Sequence, residues 1–181
     1  DELFPPVYAF FEVCDFGSDS WPLLRQLERV LVQILDAEIV GLAELRPELG
    51  KEVCRRYDIP NYYKDHKELL ENPEIEAVVA VVRRHHTAYV GLDILNAGRH
   101  LFTEKPMAQT YDQAERLVKA AEANDRIYAV GFMRRHDSGV QIAKKLLDEL
   151  RETGELGEIL SVRFYVSAGG DYCNISGCIE S

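Results

Sequence analysis

Ala77-Val-Val-Ala-Val-Val82 is an unbroken aliphatic run held between Glu76 and Arg83. A strand of that composition presents apolar side chains on both faces, so both faces need covering, as in the parallel sheets of α/β proteins. The flanking sequence agrees. Residues 87–96 read as a helix ended by Gly98, and residues 100–103 as a short strand. Thr110 caps a helix running to about Asn124, with Asp112 and Glu115 in its first turn, and residues 127–130 read as another strand. Upstream, residues 38–44 form a short buried strand, and Pro47 opens a helix that runs to about Tyr57 and is broken by Asp58-Ile59-Pro60. Residues 67–72 read as a short helix closed by Asn72-Pro73. Residues 23–35 carry a helical apolar stripe, and residues 7–13 serve as a first strand, although Glu12 is awkward in a buried one. Strand–helix–strand units repeated at this length predict an α/β, doubly wound parallel sheet.

After Gly131 the rhythm changes. Residues 138–150 read as an amphipathic helix ended by Gly154 and Gly157. Residues 158–166 alternate apolar and polar with a period of two. That pattern predicts the truncated start of an α+β, antiparallel-sheet domain. The expected organisation is residues 1–131 as one domain and 132–181 as the incomplete beginning of a second. One helix and one strand bury an apolar face poorly, so either more chain covers it or another subunit does; self-association is expected.

Composition narrows the function. The 181 residues are 46% hydrophobic and 29% charged, an ordinary globular balance. No run of about 18 apolar residues predicts a membrane span. No leader opens the chain, so a cytoplasmic location is expected. Acids outnumber bases 31 to 21, for a net charge of −10, which disfavours nucleic-acid and membrane partners. Cys14, Cys54, Cys173 and Cys178 are too sparse for a disulfide framework and lack the histidines of a zinc site, so reduced thiols and no metal are expected. Asn174-Ile175-Ser176 matches a glycosylation acceptor, which matters only in a secreted chain.

Three segments in series are specific: Val81-Val-Arg-Arg-His-His-Thr87 after the buried strand, Ala97-Gly-Arg-His-Leu-Phe-Thr-Glu-Lys-Pro-Met-Ala108 after the next helix, and Val130-Gly-Phe-Met-Arg-Arg-His136 followed by Gly154-Glu-Leu-Gly-Glu-Ile159. In that order, with the strand pattern between them, the chain resembles the glucose–fructose oxidoreductase / inositol 2-dehydrogenase (Gfo/Idh/MocA) family over roughly residues 36–166. The resemblance implies a Rossmann-type domain for NAD, with NADP as the alternative, and then a substrate domain on an antiparallel sheet. It also implies hydride transfer between the nicotinamide and a hydroxyl or ketone of a sugar, inositol or similar polyol.

The chemistry of individual positions can be weighed beside that resemblance. Glu44 ends the second strand, where a carboxylate accepts from a ribose diol and repels a 2′-phosphate; Arg46 offsets part of that charge. Lys105 is the candidate catalytic residue. Its ammonium can donate to a substrate oxygen, or relay a proton where burial lowers its pKa. The resemblance implies a cis bond to Pro106 and places Lys105, Glu104 and Pro106 against the cofactor. His85 matches a loop histidine of the family. Arg83 and Arg84 stand where relatives carry a proline-containing loop, and could meet a cofactor phosphate or an anionic substrate. Arg135 matches an arginine that follows the Rossmann domain in many relatives, while Met133 replaces a frequent asparagine. His136 and Asp137 form an acid–base neighbourhood, or Asp137 is a helix cap.

Two departures stand against the pattern. The expected glycine-rich phosphate loop reads Gly17-Ser-Asp-Ser-Trp-Pro-Leu-Leu24, with one glycine, an acid and a bulky indole. Either the reading frame differs there or cofactor binding is weakened. The family's acid–histidine pair would lie beyond Ser181, so little turnover is expected from this chain alone. The rival reading is a non-catalytic nucleotide-binding or oligomerisation module derived from such an enzyme.

Overall fold

The computed structural model describes residues 7–13 and 38–163. Among the described residues one sheet contains β1 (Val7–Val13), β2 (Glu38–Glu44), β3 (Tyr62–Tyr63), β4 (Ala77–Val82), β5 (His100–Thr103) and β6 (Tyr128–Val130). Every pairing is parallel, and the order is β3-β2-β1-β4-β5-β6. The chain winds outward from β1 through β2 to β3, returns to the other side of β1 at β4, and winds outward again. This is the doubly wound α/β sheet expected from the sequence, with its topological switch point between β1 and β4. The helix read over residues 23–35 and the loop at 17–24 lie outside the described residues.

The aliphatic run lies inside this sheet, between β1 and β5. Val78 and Ala80 pack with Leu69, Ile94, Leu101 and Leu117 on one face; Val79 and Val81 pack with Leu42, Val53 and Cys54 on the other. Both faces are covered, so the strand has no position left for a polar residue.

Helix α1 (Pro47–Arg56) starts on its proline and lies close to the sheet because residue 50 is glycine. A Cβ there would meet the Tyr62 ring at 2.3 Å. Helix α2 (His66–Leu70) begins one residue before the expected start and ends two residues before the expected end. Asp65 Oδ1 accepts from Glu68 N at 2.8 Å, and Lys64 N donates to Glu68 Oε2 at 2.8 Å, which together fix its first turn. Helix α3 (Arg84–Asn96) begins three residues before the expected Thr87. The stretch Arg83-Arg-His-His86 carries no apolar residue, so hydrophobic periodicity starts a turn late. Buried Thr87 instead turns its hydroxyl back to the Arg83 carbonyl, 3.5 Å away. Helix α4 (Tyr111–Ala123) is capped as expected, Thr110 Oγ1 accepting from Gln113 N at 3.3 Å.

The chain divides into two compact units, one reaching Phe132 and one starting at Met133. The second opens with a 3-10 turn (Met133–His136) and helix α5 (Ser138–Thr153). Asp137 Oδ1 accepts from Gly139 N and Val140 N, at 3.0 and 3.2 Å, so this acid caps α5. Gly154 ends α5 in the left-handed region, at φ +64°. The strand expected over residues 158–166 is corrected in part: residues 158–163 belong to no strand, and residues 164–166 lie outside the described residues. Alternation alone does not make a strand, which exists only through a ladder with a neighbour. Among the described residues none pairs with 158–163.

Cys54 shows what this packing does to a titrating group. Burial pushes its thiol up to about 11, and its Sγ lies 3.7 Å from the Asn61 carbonyl. An ordinary thiol ionises in the unfolded chain first, so between about pH 9 and 11 the folded state holds the extra proton and stability falls as pH rises. The expected result is that Cys54 resists iodoacetamide at pH 8 in the folded chain and is alkylated readily in urea. Peptide mass spectrometry reads this site by site, and equal rates would refute it.

Candidate functional site at the carboxyl ends of the strands

Parallel strands all leave the sheet on the same side, so the residues that follow β2, β4 and β5 share one edge. Six sequence-predicted site residues lie there. Glu44 is the last residue of β2, Arg83 and His85 follow β4, and Glu104, Lys105 and Pro106 follow β5. The β4 and β5 groups stand on adjacent strands, about 4.8 Å apart, and Glu44 stands two strands from β4.

Glu44 is only 3% exposed. Its Oε1 accepts from Arg46 N and Arg46 Nε, both at 2.9 Å, and Oε2 accepts from the second guanidinium nitrogen at 3.2 Å. These charge-assisted bonds make the covered carboxylate tolerable and leave Oε2 with capacity for another donor. Tyr62 Oη donates to the Glu44 carbonyl at 2.9 Å and holds the strand end. Burial, and then the nearby Glu44 and Glu68 charges, push the Tyr62 phenol up, so it remains a neutral donor.

The β4 end is cationic. Arg83 is half-buried, Arg84 and His85 are exposed, and the first turn of α3 holds no acid. The His85 and His86 rings lie 4.1 Å apart, and His86 meets Tyr89 edge-on at 5.4 Å. Burial, with His85 and Arg83 beside it, pushes His86 below the ordinary histidine range, so it stays neutral at pH 7. Positive charge at this helix N-terminus is opposed by the dipole and would be relieved by an anion.

At the β5 end, exposed Lys105 follows half-buried Glu104, whose Oε2 accepts from Lys105 N at 3.2 Å. The Lys105–Pro106 bond is cis, as the resemblance implied. The end of β6 presses on this turn: Gly131 N donates to the Thr103 carbonyl at 2.8 Å. A Cβ on Gly131 would stand 3.4 Å from that oxygen and 3.5 Å from Glu104 Oε1. Arg135, the seventh predicted residue, belongs to the second unit. Its side chain is exposed and its carbonyl accepts from Gln141 Nε2 at 3.3 Å.

Sequence reasoning passed over Tyr62, Thr103, Tyr128 and Gly131, which hold the edge. A tyrosine at a strand end and a glycine after one carry no local signature, because their partners lie many residues away. Among the described residues, no three His, Cys, Asp or Glu side chains are grouped to hold a metal. No helix among them is long and apolar enough to cross a membrane.

An acceptor at the β2 end and cations after β4 and β5, on either side of a switch point, fit a nicotinamide dinucleotide. Glu44 suits a ribose diol, and the basic groups suit phosphate and reacting oxygens. Fold and donor set together define a Rossmann-type domain suited to a dinucleotide. A family model described as an oxidoreductase family with an NAD-binding Rossmann fold matches residues 15–132, and the chain belongs to that family, Gfo/Idh/MocA. Levoglucosan dehydrogenase of Pseudarthrobacter phenanthrenivorans is 31% identical over 67% of the chain and 30% of its own length. An inositol 2-dehydrogenase/D-chiro-inositol 3-dehydrogenase of Lacticaseibacillus casei is 34% identical over 76% of the chain and 39% of its own length. The chain thus spans about two fifths or less of these relatives. The same fold recurs in a myo-inositol 2-dehydrogenase from Lactobacillus plantarum, with TM-score 0.69 and 22% identity over 86% of this chain and 43% of that one. It recurs in the WlbA dehydrogenase of Chromobacterium violaceum, solved with NADH, with TM-score 0.71 and 19% identity over 83% and 44%.

Proposed function

We propose that this chain is the cofactor-holding part of an NAD(P)-dependent oxidoreductase that interconverts a hydroxyl and a ketone on a sugar, inositol or similar polyol. The observation that carries the reading is the gathering of Glu44, Arg83, His85 and residues 104–106 on one sheet edge beside the switch point. The names of the levoglucosan and inositol dehydrogenase relatives support the substrate class. When bound, the nicotinamide supplies the acceptor or donor of a hydride. Glu44 accepts the ribose hydroxyls, with Arg46 balancing its charge. Arg83 and His85 donate to a phosphate or another anionic group. Glu104 fixes the backbone of Lys105. The Lys105 ammonium donates to the substrate oxygen and stabilises the negative charge there, which develops as the hydroxyl proton passes to a base before hydride leaves, or as hydride adds to the ketone carbon in the reverse direction. Exposed apolar residues of the second unit, Ile142, Leu146, Leu156 and Leu160, support self-association of the parent protein.

Calorimetric titration of the chain with NADH tests the reading. Binding in the micromolar range is expected. Absence of heat at millimolar NADH would overturn it.

A further inference from the structure

The turn that carries Lys105 is tied at both ends to a side chain from another strand. Tyr128 opens β6 opposite Leu101, and its hydroxyl lies 3.1 Å from Thr103 Oγ1 and 3.4 Å from the Met107 carbonyl oxygen. The phenol has one hydrogen, and a carbonyl can only accept. Tyr128 therefore donates to Met107, and Thr103 donates to Tyr128. Burial pushes the Tyr128 phenol up, so the hydrogen stays in place. Thr103 is 1% exposed, so its hydroxyl has no access to solvent as an alternative partner. Thr103 and Met107 bracket residues 104–106. Packing alone does not pin this brace, because a cavity of about 340 Å³, open to solvent, is lined by Met107, Val118 and Tyr128.

We infer that Tyr128 is a positioning residue: through Thr103 and Met107 its hydroxyl fixes both ends of the turn and so sets where the Lys105 ammonium is presented. The inference rests on the proposed role of Lys105, but the brace itself can be tested apart from that role.

Amide hydrogen exchange on the cofactor-free chain is the measurement, with Tyr128→Phe, Thr103→Val and Thr103→Ser compared with the parent. Tyr128→Phe and Thr103→Val are expected to speed exchange at Lys105, Met107, Ala108 and Gln109 by about fivefold, the worth of one net hydrogen bond. The core amides of Val79 and Ile94 are expected to keep their parental rates. Thr103→Ser retains the hydroxyl and is expected to behave as the parent. Unchanged exchange at residues 105–109 in both hydroxyl-removing variants would overturn the inference, as would acceleration spread equally over β4 and α3. NADH titration of the same proteins separates the two readings. A local exchange response with no NADH binding by any of them, the parent included, fails the functional reading and leaves the brace standing. NADH binding by the parent with no local exchange response does the reverse.

Discussion

Glu44→Ala is expected to weaken NADH binding by about 10- to 100-fold, the worth of hydrogen bonds from a ribose diol to a charged carboxylate. The loss for NADPH is expected to be smaller, because the change also removes the carboxylate that repels a 2′-phosphate. In the parent, Arg46 donates three hydrogen bonds to the Glu44 carboxylate, one from its backbone and two from its guanidinium. Without the carboxylate, the strand end loses an anion beside Arg46, a change that favours a 2′-phosphate. The ratio of NADH to NADPH dissociation constants, measured by calorimetry, should therefore rise in the variant. Equal loss for both cofactors would mean that the Glu44 charge does not set the preference at the 2′ position. No loss for either would remove Glu44 from the site. Removing a covered carboxylate also removes its desolvation cost, so the thermal midpoint checks that any change in affinity is not unfolding.

The sequence made the sheet legible because burial on both faces leaves a strong mark. Ala77 to Val82 allows no polar residue, and the capping residue Thr110 and the opening residue Pro47 act within a single turn of chain. What it concealed depends on distance along the chain. The β3 strand has only Tyr62 and Tyr63, too few for any period, and exists because Leu42 and Ala43 pair with it. The start of α3 was displaced because Arg83, Arg84, His85 and His86 carry charge where periodicity needs apolar residues. The alternation from Glu158 to Val166 shows the opposite failure: a period of two without a partner is not a strand over its described part.

The candidate site was legible as a set of positions in strand order rather than as a geometry. Residues that follow parallel strands must share an edge, so placing Glu44, Arg83, His85 and Lys105 correctly in strand order was enough to gather them. The bonds that orient them were not legible. The Arg46 guanidinium folding back on Glu44 across two residues was anticipated only as an offset of charge, and no local pattern ties Tyr128 to Thr103 and Met107. An edge of this kind is assembled by topology and then adjusted by long-range polar contacts.

That division of labour makes a second large effect specific. Leu117→Ala is expected to lower the unfolding free energy by about 2–5 kcal/mol, the usual range for a fully buried leucine. Leu117 is 0% exposed, and its side chain occupies the space that a Cβ on Gly91 would enter, 2.9 Å from Leu117 Cδ2 and 3.1 Å from Leu101 Cδ2. Glycine at position 91 lets α3 approach α4 closely, and it has no side chain with which to refill the void. Urea denaturation should show the midpoint falling with an unchanged slope. The site edge is formed by strand ends, whereas Leu117 sits in the layer packed beneath them, so NADH affinity of the folded variant should match the parent. Saturating NADH should then raise the stability of both by the same increment, because that increment depends only on ligand concentration and affinity. A smaller increment in the variant would show that the α3–α4 layer helps set the geometry of the edge, and that scaffold and site are coupled. A loss of stability below about 1 kcal/mol would mean that the layer closes over the void, contrary to the tight contact at Gly91.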